Sequence, residues 1–412
     1  MKIKDMSKTT LVWLGLLAVL MLIGLVAWIN QLMLGLQVTG MRNLVSWGLY
    51  IISFTFLVGL SAGGLIVSSA AYVFNIERLK SMAPVGVVAA IACVLGAMAM
   101  IVPDVGHPER LLNIVFGGRF TSPIMWDLFV ITLYLIVGLF EAWVFFGARW
   151  RNQTEVQRER VLKIAAFVAF PVAILVHSIT AWIFGLQIGR PFWNSALMAP
   201  IFLSSAVVSG LGLLLVVAFV GGKKGIPGLG QENRSTLVSL LSAFIVLDLF
   251  LLFCDLFTAL YAGETAAAAG ASTLISGSLA PIFWSEILFG ALVPLALLVV
   301  PQTRSSSGWL GLAGLLVMLG VFAKRINIIM PGYLTTENIS YAPGVSSGDF
   351  VPAAGTLFRA GQSSFTNVPS YIPTVTEIVI TLGILAMVAF VVTVGVRMVI
   401  ERALPAAQGS RA

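Results

Sequence analysis

Ionisable side chains recur inside, or at the ends of, the long apolar runs of this 412-residue sequence. They are Asp104, His107, Glu109, Arg110, Asp127, Glu141, His177, Asp248, Asp255, Glu286, Lys324, Arg325 and Glu377. A charge inside such a run is expensive, so each one is a functional hypothesis by default: part of a proton or ion path, or a contact for the polar end of a ligand. At a rise of about 1.5 Å per residue, Asp104, Asp127, Asp255, Glu286, Arg325 and Glu377 all fall toward the same face. Polar groups on several helices near one face suit an amphiphilic ligand, with its headgroup among them and its tail in lipid. Quinol oxidation needs such a place, with acceptors for two departing protons. The same residues could instead form a buried ion-pair network, for instance Arg325 with Glu286, that only locks helices together.

Glu141 and Asp248 lie toward the opposite face, below that group. Asp248 and Asp255 share one helix face about 10 Å apart. Asp127 and Glu141, two heptads apart, lie on nearly one face as well. Acids at staggered depths on two helices fit a proton path through Asp127, Glu141, Asp248 and Asp255. The plainer alternative is acids neutralised by burial. His107 and His177 are the only histidines, and along their helices they differ in depth by roughly 15 Å. That argues against a haem held by both. His177, mid-run beside Ser178 and Thr180, suits a ligand contact or a proton relay.

Other chemistries lack their residues. Cys93 and Cys254 are isolated in apolar runs, so there is no C-x-x-C framework for an iron–sulfur cluster or structural zinc. No metal set, catalytic residue of its own, phosphate loop, dinucleotide fingerprint or covalently held cofactor is expected. The Gly59–Gly64 run is not G-x-G-x-x-G. Gly59 and Gly63 form a G-x-x-x-G face suited to close helix packing.

The elements that must position these side chains are transmembrane helices. The sequence is 59% hydrophobic and 10% charged, against roughly a quarter charged for soluble domains. Ten apolar segments reach the length a bilayer requires: about 11–36, 47–75, 83–103, 122–147, 163–188, 195–220, 237–262, 279–300, 308–330 and 374–400. The first is too long for a signal peptide and lacks a cleavage pattern, so it is expected as an uncleaved span. Backbone groups in hydrocarbon must be satisfied within the segment, which predicts a single all-α polytopic domain over residues 1–412. The net charge of +7 reflects membrane topology and not nucleic-acid binding. Of 24 basic residues, 17 fall on the side shared by both termini, so the termini are expected in the cytoplasm, with the protein in the cytoplasmic membrane. Residues 331–373 form a long polar loop on the outer side, rich in aromatics. Such loops are usually functional, here as a docking surface for a peripheral subunit or a lid over the helix ends.

At these residues the sequence resembles the NrfD/PsrC family, the polysulfide-reductase membrane subunits. It is most similar to the ten-helix branch that includes the hydrogenase-2 membrane subunit and alternative complex III subunits. The matching pieces are Ser46-Trp47-Gly48-Leu49 leading to Gly59–Gly64, Tyr72-Val73-Phe74, and Asp104 through Arg110. They continue with His177-Ser178, Arg190-Pro191-Phe192-Trp193, Phe283-Trp284-Ser285-Glu286 with Pro294, Arg325-x-Asn327, and Tyr371-x-Pro373-x-x-x-Glu377. Each piece is weak alone, but their order runs through nearly the whole chain. The resemblance implies two four-helix bundles plus two extra helices, a docked iron–sulfur cluster subunit on the outer face, and a quinone site near that face. Menaquinone is the expected quinone. Matching positions for the quinone are Asp104, His177, Glu286, Arg325, Trp47 and Gly48. The resemblance also implies a catalytic partner: a molybdenum enzyme, a hydrogenase or a reductive dehalogenase. Asp248 stands where the hydrogenase branch is expected to carry a basic residue, which leaves the branch open.

Two other classes compete. A secondary transporter would share the spans and buried acids, but no inverted repeat or pair of interrupted helices is evident. A structural or proton-conducting anchor without a quinone site would account for the packing motifs and leave the outer acids idle.

Overall fold

The computed structural model describes residues 7–42, 45–147, 154–221, 231–262, 265–334 and 371–409. It contains ten helices long and apolar enough to cross a membrane. These are α1 (Lys8–Leu34), α2 (Leu49–Val73), α3 (Ala83–Asp104), α4 (Pro123–Gly147), α5 (Glu155–Gly185), α6 (Met198–Gly221), α7 (Gln231–Tyr261), α8 (Ala280–Val299), α9 (Ser307–Ile329) and α10 (Val375–Gly409). Ten long apolar helices form, as continuous hydropathy at bilayer length leaves the backbone few other solutions, and several begin or end well outside the expected segments, α5 at Glu155 and not 163. Local signals set some ends. The Ser7 hydroxyl accepts from the Thr10 amide, and Thr154 and Gln157 form a reciprocal capping box at the start of α5. Gly35 closes α1 at φ 77°, a left-handed conformation that favours glycine.

Helices α2–α5 form one four-helix bundle and α6–α9 the second, while α1 and α10 pair with each other and lie against α3. The bundles meet chiefly through α2 and α6, the two spans most enclosed by the rest of the chain. Their close approach depends on glycine: a methyl at Gly63 would sit 2.2 Å from the Ala206 carbonyl oxygen and 2.7 Å from the Gly210 Cα. The sequence expectation of a G-x-x-x-G packing face therefore holds at Gly63. Gly59 does something else. A methyl there would lie 3.4 Å from Arg325 Nη2 and 3.8 Å from His177 Nε2, so its bare backbone faces polar side chains.

Several short helices lie in stretches read as loops, two of them longer than one turn. Leu112–Gly117 follows α3, and Thr265–Ile275 precedes α8. Both are too short to span. Of the long loop expected at 331–373, residues 335–370 lie outside the described residues, including Tyr341, Phe350, Phe358 and Phe365; the described ends carry Tyr333 and Tyr371.

The eighth span is not a regular helix. Between Ala280–Ser285 and Val293–Val299 it runs as a π-helix, Glu286–Leu292. Pro294 supplies a reason: it has no amide to give the Gly290 carbonyl, and its ring crowds that oxygen. Such turns recur at functional sites, and this one begins at Glu286.

Candidate functional site

Helix α9 brings three polar side chains into the core. Lys324 and Asn327, three residues apart, share a face; Arg325 is turned about 100° from Lys324. All three are buried. Lys324 Nζ lies 2.5 Å from Asp248 Oδ2 on α7 and 3.4 Å from Glu286 Oε1 on α8. Asn327 Nδ2 donates to Glu286 Oε2 at 2.7 Å, and Ser204 on α6 donates to Asp248 Oδ1 at 2.7 Å. Arg325 points the other way, donates to Ser205 Oγ at 2.8 Å, and stacks its guanidinium 4.1 Å from the Phe202 ring centroid. The pairing of Arg325 with Glu286 raised from the sequence is not what forms: Lys324 takes that place. The helix turn explains the exchange, since neighbours on one helix cannot face one partner.

The charges balance locally. Asp248 and Glu286 face Lys324, with Arg325 adjacent, so two acids are buried with two cations. Burying such groups singly would be prohibitive; burying them as a neutral set is tolerable. Asp248 therefore joins the main cluster through Lys324 and does not sit apart from it.

Next to this set is an unusual group of unsatisfied atoms. Both ring nitrogens of His177, Arg325 Nε and Nη1, and Asn327 Oδ1 are buried and make no hydrogen bond. Buried polar atoms are nearly always paired. The His177 ring lies 6.3 Å from the Phe202 ring, beside the Arg325 stack. A narrow crevice of about 20 Å³ leads to Asp255, Glu286, Lys324 and Asn327 between the apolar side chains of Phe192, Leu252, Leu256 and Phe283. That volume suits about one water, so entry of a ring requires side chains to move. Asp255 accepts from the Ser195 hydroxyl at the edge of the crevice.

Asp104 and Gly48 belong elsewhere. At the start of α10, Glu377 accepts from the Gly40 amide at 2.6 Å, the Thr374 amide at 2.9 Å and the Tyr371 hydroxyl at 2.5 Å. The Tyr371 oxygen accepts from the Leu49 amide at 2.6 Å, and a methyl at Gly48 would clash with that oxygen at 2.4 Å. Burial, and then the bond to Glu377, hold the Tyr371 phenol above its usual range, so it stays a proton donor. Tyr50 donates to Gln31 Oε1 at 2.6 Å, and Gln31 donates to the Pro103 carbonyl at 2.8 Å. Asp104 lies within electrostatic reach of Tyr50 and Glu377, with Oδ1 buried and unpaired.

Trp47 enters a third group. It stacks on Trp193 at 6.0 Å and meets Phe184 edge-on at 5.5 Å. Trp193 meets Tyr333 edge-on at 5.0 Å, and the Arg190 guanidinium lies 4.3 Å from the Tyr333 ring. Phe184 in turn lies 6.0 Å from Phe202, the ring shared by Arg325 and His177. An aromatic wall thus runs from the helix ends at Trp47 and Tyr333 to the buried cations.

Asp127 accepts from Thr180 at 2.6 Å, joining α4 to α5. One heptad on, Tyr134 donates to the Ser61 carbonyl at 2.7 Å; one more heptad on, Glu141 is buried with Oε2 unpaired.

Comparison with known families matches residues 37–337 to Polysulphide reductase, NrfD. The chain belongs to the NrfD family. The match spans α2 to α9 and hence the whole ion-pair set, while Gln31, Tyr371 and Glu377 lie outside it. Among similar proteins is a putative dimethyl sulfoxide reductase membrane subunit of Halobacterium salinarum, 35% identical over 95% of this chain and 92% of its own length. A selenate reductase subunit of Mesobacillus selenatarsenatis is 26% identical over 77% and 81%. The Hdr-like menaquinol oxidoreductase integral membrane subunit of Archaeoglobus fulgidus is 28% identical over 93% and 91%. This NrfD-family chain is a multi-pass integral membrane protein.

Sequence reasoning singled out Glu286 and Arg325 for the site but not Lys324, Asn327, Ser204 or Ser205. Lys324 and Asn327 carried a signal: a cation and an amide three residues apart inside an apolar run share a face. The serines carried none, because small hydroxyls in spans commonly bond their own helix backbone.

Proposed function

We propose that this chain is the quinone-reactive membrane subunit of a respiratory oxidoreductase complex. The observation that carries the reading is the set of unpaired buried atoms on His177, Arg325 and Asn327 beside a balanced ion-pair group. A network serving only to lock helices would satisfy its own donors and acceptors; the Arg325 donors and the His177 ring suit headgroup oxygens, and Asn327 Oδ1 suits the hydroxyl of a quinol. The names of relatives support the reading, one being a menaquinol oxidoreductase subunit and others reductase subunits.

In this proposal the quinol loses two electrons and two protons and becomes quinone, or the reverse. The electrons pass to or from an iron–sulfur subunit docked on the outer face through residues 104–121 and 331–373. That subunit serves a reductase-type catalytic subunit. His177 and Glu286 exchange protons with the headgroup, while Asn327 and Arg325 orient its oxygens. The Trp47 wall lines the side toward the partner. Asp104, with Gly48 and the Glu377 group beside it, forms a proton route to the outer face. Asp127 and Glu141 in one bundle, and Asp255 and Asp248 in the other, are the candidates for a longer proton path. Menaquinone is the expected carrier. Both termini face the cytoplasm, because the basic loops lie on their side.

Extraction of the purified complex with organic solvent tests this. Near-stoichiometric quinone, displaced by a headgroup analogue, supports it. A complex that co-purifies with its iron–sulfur partner yet holds no quinone, and whose turnover no quinone analogue inhibits, leaves the structural-anchor reading. The tightness of the crevice favours that second reading.

A further inference from the structure

A second cavity opens on the membrane face that carries the basic loops, remote in sequence from the ion-pair group. Its volume is about 410 Å³, within the range of ligand pockets. It lies where the end of α2, the Glu77–Lys80 turn and the first part of α5 meet. Its polar lining carries three cations, Lys80, Arg160 and Lys163, against one acid, Glu159. That acid is already engaged, since Lys80 Nζ pairs with Glu159 and Glu77 and lies 5.8 Å from the Tyr72 ring. Arg160 and Lys163 make no ion pair or hydrogen bond among the described residues, and Glu159 is the one acid in the lining, so the cavity carries an excess of positive charge. The far wall is apolar and open to lipid: Ile164 is 62% exposed and Phe167 56%.

We propose that this cavity binds the headgroup of an anionic phospholipid. The phosphate lies between Arg160 and Lys163, and the acyl chains run along Ile164 and Phe167. Basic pockets between transmembrane helices at the interface favour such headgroups, each cation contributing about 1 kcal/mol, or about fivefold in affinity. A soluble anion would use the cations but not the lipid-facing wall. Lys80, held by two carboxylates, acts as a fixed rim and not as the main contact. The site joins the Glu77–Lys80 turn to α5, so an occupied site clamps the inner ends of α2 and α5.

Native mass spectrometry of the full chain in detergent tests this with three probes: phosphatidylglycerol, phosphatidylcholine and inorganic phosphate. Phosphatidylglycerol is expected to stay bound in preference to phosphatidylcholine. The double variant Arg160→Gln, Lys163→Gln should weaken it about 25-fold. Arg304→Gln, which removes an exposed cation on the same face away from the cavity, should leave it unchanged. Equal retention of both lipids, unaltered binding by the double variant, or an equal loss in Arg304→Gln would overturn the proposal. Displacement of the lipid by millimolar inorganic phosphate would also overturn it, in favour of a free-anion site.

Discussion

At the scale of single residues, the ion-pair group turns on Lys324. Among the described residues it alone forms ion pairs with both Asp248 and Glu286. Arg325, its neighbour, serves Ser205 and the Phe202 ring instead. Lys324→Met leaves two buried carboxylates near one cation, Arg325, that forms no ion pair with either. The expected cost is about 3–5 kcal/mol, seen as poor accumulation or a lowered midpoint in thermal unfolding of the detergent-solubilised chain. Adding Asp248→Asn removes one of the stranded charges and should recover much of the loss. A single variant as stable as the wild type would show that the pair contributes little. Much of this group was legible in sequence, because buried charges announce themselves against an apolar background. Which cation meets which acid was not, since that depends on helix rotation and on the irregular turn at Glu286. Asp104 shows the same limit: depth along the membrane grouped it with Glu286, whereas the lateral arrangement of helices sets it beside Tyr50 and Glu377.

At the scale of elements, ten spans follow from hydropathy alone, while their ends, set by caps and turns that hydropathy does not see, differ by up to nine residues. The short helices Leu112–Gly117 and Thr265–Ile275 were hidden because neither has the length that makes a span visible. The π-helix at Glu286–Leu292 was hidden too, although Pro294 marked the spot. Pro294→Ala restores an amide for the Gly290 carbonyl and lets the turn tighten to α-helix. Gly290 is pinned against Gly320, where a methyl would approach within 2.4 Å of the Gly320 Cα, so Glu286 must be the side that rotates. The variant is expected to assemble and to lose quinone-linked turnover by roughly tenfold to a hundredfold, the size of effect that misplacing a reacting group produces. Full turnover in that variant would remove the π-helix from the account. Gly63→Val tests packing alone: the α2–α6 crossing has no room for it, so assembled protein should fall sharply in membranes.

At the scale of the whole molecule, the proposed topology puts both termini on the side of the basic loops. A cysteine replacing Phe116, exposed beyond α3, should react with an impermeant reagent in intact cells. One replacing Ser305, between α8 and α9, should react only after permeabilisation. The reverse pattern would invert the topology and move the proposed partner to the other face. The central claim is electron exchange between a lipid-borne quinone and a partner docked at the outer helix ends, with proton exchange at His177 and Glu286. The most direct test is reduction of the partner's iron–sulfur centres by added quinol in the purified complex, followed spectroscopically in the wild type, His177→Gln and Glu286→Gln. The wild-type centres should be reduced by quinol. Both variants should assemble, keep dye-linked activity at the partner, and reduce their centres at least about tenfold more slowly, the low end of what a positioned proton acceptor contributes. Wild-type rates in both assembled variants would contradict the claim.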